Sequence, residues 1–192
     1  MDLGRVATKF ATNTYDGFDG TAWTKGVGKC AVEVYSRFIT DRLTGVLKRV
    51  LLTPTPIPSK YPLIRLPDGK LYIRGYEASD IAHETVYGYI YVVQEADKTA
   101  TIVNYTKAES ASGMGGELVE VLTEGVPVFI TRYGGDKAGE ELDFMTYTKM
   151  LAVLPSYVTL EEGSEMDIEG SRYVVKDLSN EMQMTMAFVG RK

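Results

Sequence analysis

The sequence predicts a mainly β protein built as two tandem small β-barrels or sandwiches related by internal duplication. Three observations carry this expectation. Aromatic and β-branched residues dominate, with 13 tyrosines among 192 residues, and both types fit a pleated surface better than a helix. Short apolar runs are punctuated by 19 glycines, many of them behind an acidic residue or another glycine, as turns between strands require. Finally, residues 76 to 92 can be laid on residues 173 to 189 without a gap, at a constant offset of 97.

The clearest strand is Val86 to Val93, in which Tyr87, Tyr89 and Tyr91 alternate with apolar residues at period two. Further strands are expected at Cys30 to Ile39, Lys70 to Arg74, Thr99 to Tyr105, Leu118 to Leu122, Val126 to Tyr133, Phe144 to Val153, Arg172 to Val175 and Glu181 to Val189. Turns are expected at Asp16-Gly17, Asp19-Gly20, Asp68-Gly69, Gly134-Gly135 and Glu169-Gly170. Residues 41–52 fit both templates: Leu43, Val46, Leu47, Val50 and Leu51 have helical spacing, while Gly45 and the alternation of Val46, Val50 and Leu52 favour a strand.

In the repeat, Tyr76 falls on Tyr173, Asp80 on Asp177, Ile81 on Leu178, Glu84 on Glu181 and Tyr91 on Phe188. The same offset pairs Pro58-Ser59 with Pro155-Ser156, and a slightly smaller one pairs Val32 to Tyr35 with Val126 to Phe129. The expected domains are therefore 1–98, a first barrel with an N-terminal hairpin, and 99–192, a second copy. Within the second copy, 109–116 (Glu-Ser-Ala-Ser-Gly-Met-Gly-Gly) reads as an exposed loop or hairpin arm.

Composition excludes more than it names. A single cysteine, Cys30, forbids an internal disulfide, and a single histidine, His83, leaves a zinc site within one chain short of its usual ligands. No apolar run approaches the roughly 18 residues of a membrane-spanning helix, so no membrane partner is expected. A net charge of -5 opposes sequence-independent adhesion to nucleic-acid phosphates. No nucleophile, base or phosphate-loop motif stands in its required context, and Gly113-Met114-Gly115-Gly116 lacks the helix and the Gly-Lys-Ser/Thr of a phosphate cradle. No catalytic residue, cofactor or metal is expected. The notable surface feature is an acidic run, Glu161, Glu162, Glu165, Asp167 and Glu169, with no basic residue inside it. Cys30, beside Ala31 and Val32, reads as a small buried hydrophobe.

The second copy carries a Val-Pro-Val-Phe-Ile-Thr-Arg segment at 126–132, Leu154-Pro155-Ser156, Glu162-Gly163 and an Ile-Glu-Gly-Ser-Arg-Tyr-Val-Val-Lys-Asp stretch at 168–177. In these it resembles the small β-barrel proteins of the head-to-tail connection, or neck, of tailed bacteriophages, the head-closure, stopper or head-completion type. The first copy departs at Leu66-Pro67-Asp68-Gly69 and Gly75-Tyr76. The resemblance implies a structural virion protein, not an enzyme, made in the host cytoplasm. It would form a homo-oligomeric ring, with six the implied copy number, between the capsid portal and the tail. Its partners would be other neck, portal-adaptor or tail proteins and passing DNA bound without sequence preference. Tyr87, Tyr89, Tyr91, Ser112, Gly113, Met114, Gly115 and Gly116 are then the expected interface, and the acidic run the expected channel wall. A carbohydrate- or peptide-binding β module with Trp23 as a platform, a tail-tube or terminator component, and, least favoured, a hydrolase using the acidic cluster are the alternatives.

Overall fold

A computed structural model describes residues 13–34, 49–77, 81–82, 85–86, 88–107, 118–132, 150–180 and 183–192. In chain order the strands are β1 (Asn13–Phe18), β2 (Trp23–Val34), β3 (Arg49–Thr53), β4 (Leu63–Arg65), β5 (Leu71–Glu77), β6 (Ile81–Ala82), β7 (Thr85–Val86), β8 (Tyr89–Ala96), β9 (Lys98–Lys107), β10 (Leu118–Arg132), β11 (Met150–Leu154), β12 (Glu165–Ile168), β13 (Ser171–Ser179) and β14 (Thr185–Arg191). No α-helix occurs among the described residues.

Two closed six-stranded barrels result. The first runs β1-β2-β3-β8-β5-β4 around its circumference and the second β9-β10-β11-β14-β13-β12. These are one topology used twice, since replacing each strand of the first by its successor in the second reproduces the order. Closure pairs every barrel strand on both sides, which removes the open edges a flat sheet would leave. β8 ends at Ala96 and β9 begins at Lys98, so the barrels are joined by Asp97 alone.

Irregularities recur along with topology. Each β5-type strand carries a bulge at the same place, after Arg74 against β8 and after Val175 against β14. Each first hairpin is also bulged, between Tyr15 and Gly17 in one copy and between Thr123 and Val126 in the other. A left-handed glycine sits in both of these bulges, Gly26 at φ 60 and Gly125 at φ 68, where a β-carbon would be strained. The turns at Pro58 and Pro155 match as well: Tyr61 N donates to Pro58 O at 3.1 Å, and Val158 N donates to Pro155 O at 3.0 Å.

The register corrects the offset read from sequence. Ile64 pairs with Tyr72 as Met166 pairs with Tyr173, so the counterpart of Tyr173 is Tyr72 and not Tyr76. Arg74 lies opposite Val93 as Val175 lies opposite Val189, which puts β8 on β14 at an offset of 96 and Tyr91 on Ala187. A slip of one residue exchanges the two faces of a strand. Tyr91 accordingly points into its barrel, whereas Phe188 lies outside the other.

Three further expectations change. Asp16-Gly17 is not a turn but part of β1, because the Tyr61 ring lies on Gly17 so closely that a β-carbon there would stand 2.5 Å from Tyr61 Cγ. Leu118–Leu122 and Val126–Arg132 form one strand bent at its bulge, not two. The alternation from Val86 to Val93 is divided between β7 and β8. Residues 49–53 adopt the strand reading, and 41–48 lie outside the described residues.

The interiors differ in chemistry. The second is aliphatic, with Ala100, Ile102, Val126, Val128, Ala152, Leu154 and Met166 prominent. The first packs Tyr15, Tyr61, Tyr72 and Tyr91 with Cys30, Leu51 and Ile64. A third apolar cluster draws on both barrels: Leu63, Ile73 and Val92 of the first meet Leu151, Val153, Met184 and Met186 of the second. Fully burying one such side chain is worth about 1.5–3 kcal/mol, so this seam holds the barrels together.

Candidate assembly site

The second barrel differs from the first most plainly in its leading hairpin. In the first copy Phe18 pairs with Trp23 and the chain turns at once through Asp19–Ala22, whose tip is tied by Asp19 Oδ1 accepting from Thr21 N and Ala22 N, both at 2.9 Å. In the second, the corresponding pair is Val103 with Leu122. There the ladder continues for four more pairs, Asn104–Val121, Tyr105–Glu120, Thr106–Val119 and Lys107–Leu118. β12 pairs with β9 only as far as Val103, and β11 pairs with β10 only from Phe129, so these outer pairs form a two-stranded arm beyond the barrel wall.

The arm is apolar and uncovered. Leu118 is 61% exposed, Val119 46%, Val121 45% and Leu122 56%. Leu118 and Leu122 share one face and Val119 and Val121 the other, so both sides of the ribbon offer hydrocarbon to water. Among the described residues no third strand pairs with either outer edge of the arm, and open edges are the feature that closed barrels otherwise abolish. The base is fixed to the barrel: Asn104 Nδ2 donates to Thr159 O at 3.0 Å, Ser164 Oγ donates to Asn104 Oδ1 at 2.6 Å, and the Tyr105 hydroxyl bonds to Glu165.

The loop residues Ser112, Gly113, Met114, Gly115 and Gly116 lie outside the described residues, between the two strands of this arm, and so does Tyr87. Of the other tyrosines assigned to the interface, Tyr89 is half-buried against the first core. Tyr91 is 3% exposed, and this assignment is corrected. Its hydroxyl accepts from Ile57 N at 2.9 Å and donates to Glu77 Oε2 at 3.0 Å, and burial pushes its pKa up to about 12.

The acidic run is less one-signed in space than in sequence. Glu165 is 8% exposed and paired with Lys192 Nζ at 2.6 Å, which holds its carboxyl below the usual range. It therefore presents no free carboxylate to solvent. Glu169 is paired with Lys98, and Asp167 Oδ1 accepts from Gly170 N at 2.9 Å to close the β12–β13 turn. Glu161 and Glu162 are exposed. The cations that answer the run come from elsewhere in the chain, which no local window displays.

Trp23 is not a bare platform either, being half-buried beside Phe18 at 5.1 Å, with the Arg65 guanidinium 4.3 Å above its ring. Cys30 is fully buried and its thiol is pushed up to about 12, as a small core hydrophobe requires. His83 lies outside the described residues. No cluster of three His, Cys, Asp or Glu side chains fit to hold a metal occurs among the described residues.

The arm's apolar residues are the part that sequence reasoning missed. Leu118 to Leu122 reads as a strand, but its signal was stronger: Leu-Val-Glu-Val-Leu is apolar on both faces, so burial on both sides would be needed. The adjoining glycine-rich segment places that strand at a hairpin tip, where its own barrel cannot supply both. No protein-family model, curated protein or solved structure matches the chain.

Proposed function

We propose that the chain is a structural virion protein of a tailed phage, a ring-forming neck component that joins the capsid portal to the tail around the DNA channel. It works by assembly and not by catalysis. The arm carries this reading. Four large apolar side chains on a two-edged ribbon are costly in water and become favourable when another protein covers them. The tandem barrels supply the rigid body on which such an arm is useful, because the seam and the one-residue connection fix the arm relative to both barrels. A net charge of -5 also suits a wall past which DNA slides, since phosphate neutralisation would anchor the duplex.

The test is negative-stain imaging of the purified chain, with light scattering for mass. Closed rings with a central opening wide enough for duplex DNA are expected, together with no retention on DNA at physiological salt. Open chains, a solid particle, or tight salt-dependent DNA binding would refute the neck reading.

A further inference from the structure

The seam within one chain shows how a barrel of this kind receives a hairpin. The tip of the β1–β2 hairpin packs on the Pro155–Val158 turn of the second barrel: Phe18 stands edge-on to Tyr157 at 5.4 Å, and Gly20 lies so close that a β-carbon would be 3.2 Å from Tyr157 Cβ. The β9–β10 arm is the second barrel's version of that same hairpin, and it is longer and uncovered. The first barrel's version of the receiving turn is Pro58–Tyr61, closed by the matching backbone bond. Thr55, Pro56, Pro58, Ser59 and Lys60 are exposed around it.

That turn is held rigid from below. Arg74 Nη1 donates to Ile57 O and Pro58 O at 3.1 and 3.0 Å, Arg74 Nη2 donates to Ser59 O at 3.2 Å, and Tyr91 accepts from Ile57 N. A receiving surface fixed in advance loses little entropy when covered. The loop exposes Pro56 and Pro58 between the polar Thr55, Ser59 and the cation Lys60, while β10 brings the exposed carboxylates Glu120, on the arm, and Glu124, at its base, with Lys107 exposed at the arm's far end.

We propose that the arm seats on the Pro54–Lys60 turn of a second copy of this chain, repeating between chains the hairpin-on-turn contact made within one. The contact is head-to-tail: arm and turn are different surfaces on different barrels, so each copy offers one of each, and the assembly grows until it closes or continues as a filament. This deepens the assembly reading above by naming the partner of the arm, and it holds whether or not the product surrounds DNA.

The test is a complementation experiment on the full chain. An arm variant, Leu118→Glu with Leu122→Glu, and a turn variant, Ser59→Arg with Lys60→Glu, alter exposed side chains only, and circular dichroism and melting verify the fold of each. Light scattering is expected to show an oligomer for the parent chain and a monomer for each variant alone. An equimolar mixture should give a one-to-one dimer, because the intact arm of one fits the intact turn of the other. A parent chain that is monomeric at all concentrations overturns the proposal. So does an oligomer indifferent to the arm variant, or a mixture that stays monomeric, which would indicate arm-to-arm pairing or another receiving surface. If a variant fails its fold check, Val121→Glu or Pro56→Arg replaces it. Open chains that obey complementation would refute the neck reading while leaving this contact standing.

Discussion

Tyr15 and Gly28 form a cross-strand pair inside the first barrel, and Ala100 and Val126 form the same pair inside the second. The copies thus fill one site in opposite ways, a large ring over glycine or alanine beside valine. A β-carbon on Gly28 would stand 2.9 Å from Tyr15 Cε1, so Gly28→Val alone overpacks the core, at about 1–3 kcal/mol. Tyr15→Ala alone empties a site where the ring is 1% exposed, at about 3–5 kcal/mol. The double variant installs the second copy's solution in the first. Valine then grows into the space the ring left, and the pair should cost about 2 kcal/mol less than the sum of the two singles, within the range of coupling for touching residues. The assay is urea unfolding followed by Trp23 fluorescence, which reports on the first barrel because Trp23 is the chain's single tryptophan. Additivity within about 0.5 kcal/mol would show that the two sites are not structurally equivalent and would remove the strongest side-chain evidence for duplication.

Alkaline pH should weaken the first barrel before the second. Burial raises Tyr15 and Tyr91 from 10.0, and Cys30 from 9.0, to about 12 in each case. The unfolded chain therefore ionises first: stability is flat below pH 9 and falls between pH 9 and 12, and Trp23 fluorescence should report unfolding while the second barrel's β-signal by circular dichroism persists. Arg74→Met removes the three bonds under the Pro58 turn and should cost about 2–4 kcal/mol by denaturant unfolding, and also weaken self-association by light scattering. Met186→Glu places a charge in the seam at a site 2% exposed; calorimetry should then separate the transitions of the two barrels more widely than in the parent chain.

Strand content and duplication were legible because both rest on local chemistry. Alternation, glycine turns and the Pro-Ser bend survive in each copy whatever surrounds them. The exact correspondence was not legible, because the two copies differ by insertions at structural joints. Thr53 is five residues from Pro58, but Leu154 adjoins Pro155. The first copy also adds the β6–β7 ribbon before β8. Tyr76 and Tyr173 attract each other in a sequence comparison, while the strand ladders set Tyr72, opposite Ile64, in the place that Tyr173 holds opposite Met166. Interior identities are no better guide, since Arg74, Tyr91 and Leu51 stand where the second barrel has Val175, Ala187 and Ala152. The arm failed for a different reason: exposure is a property of the whole fold, and a strand apolar on both faces is ordinarily a buried one.

The seam joins unlike faces, and that asymmetry bears on whether a further barrel could pack on the second one in the same way. The first barrel contributes the outer side of β4, β5 and β8, through Leu63, Leu71, Ile73, Val92 and Ala96; the second contributes β11 and β14. On the second barrel the residues matching Leu63, Leu71 and Ala96 are Glu165, Arg172 and Lys192. Apolar contacts have become charges at equal positions, two of them already paired with each other. A third barrel packing by the same seam would have to strip water from those charges, at several kcal/mol per ion, which disfavours that route of association. Glu165→Leu with Arg172→Leu and Lys192→Ala restores the first copy's chemistry and should create a second, arm-independent route of association. The measurement is light scattering of this triple variant combined with the arm variant Leu118→Glu and Leu122→Glu. Recovery of oligomers in a chain without a working arm is expected, and a strictly monomeric product from a folded chain would show that these charges do not limit growth.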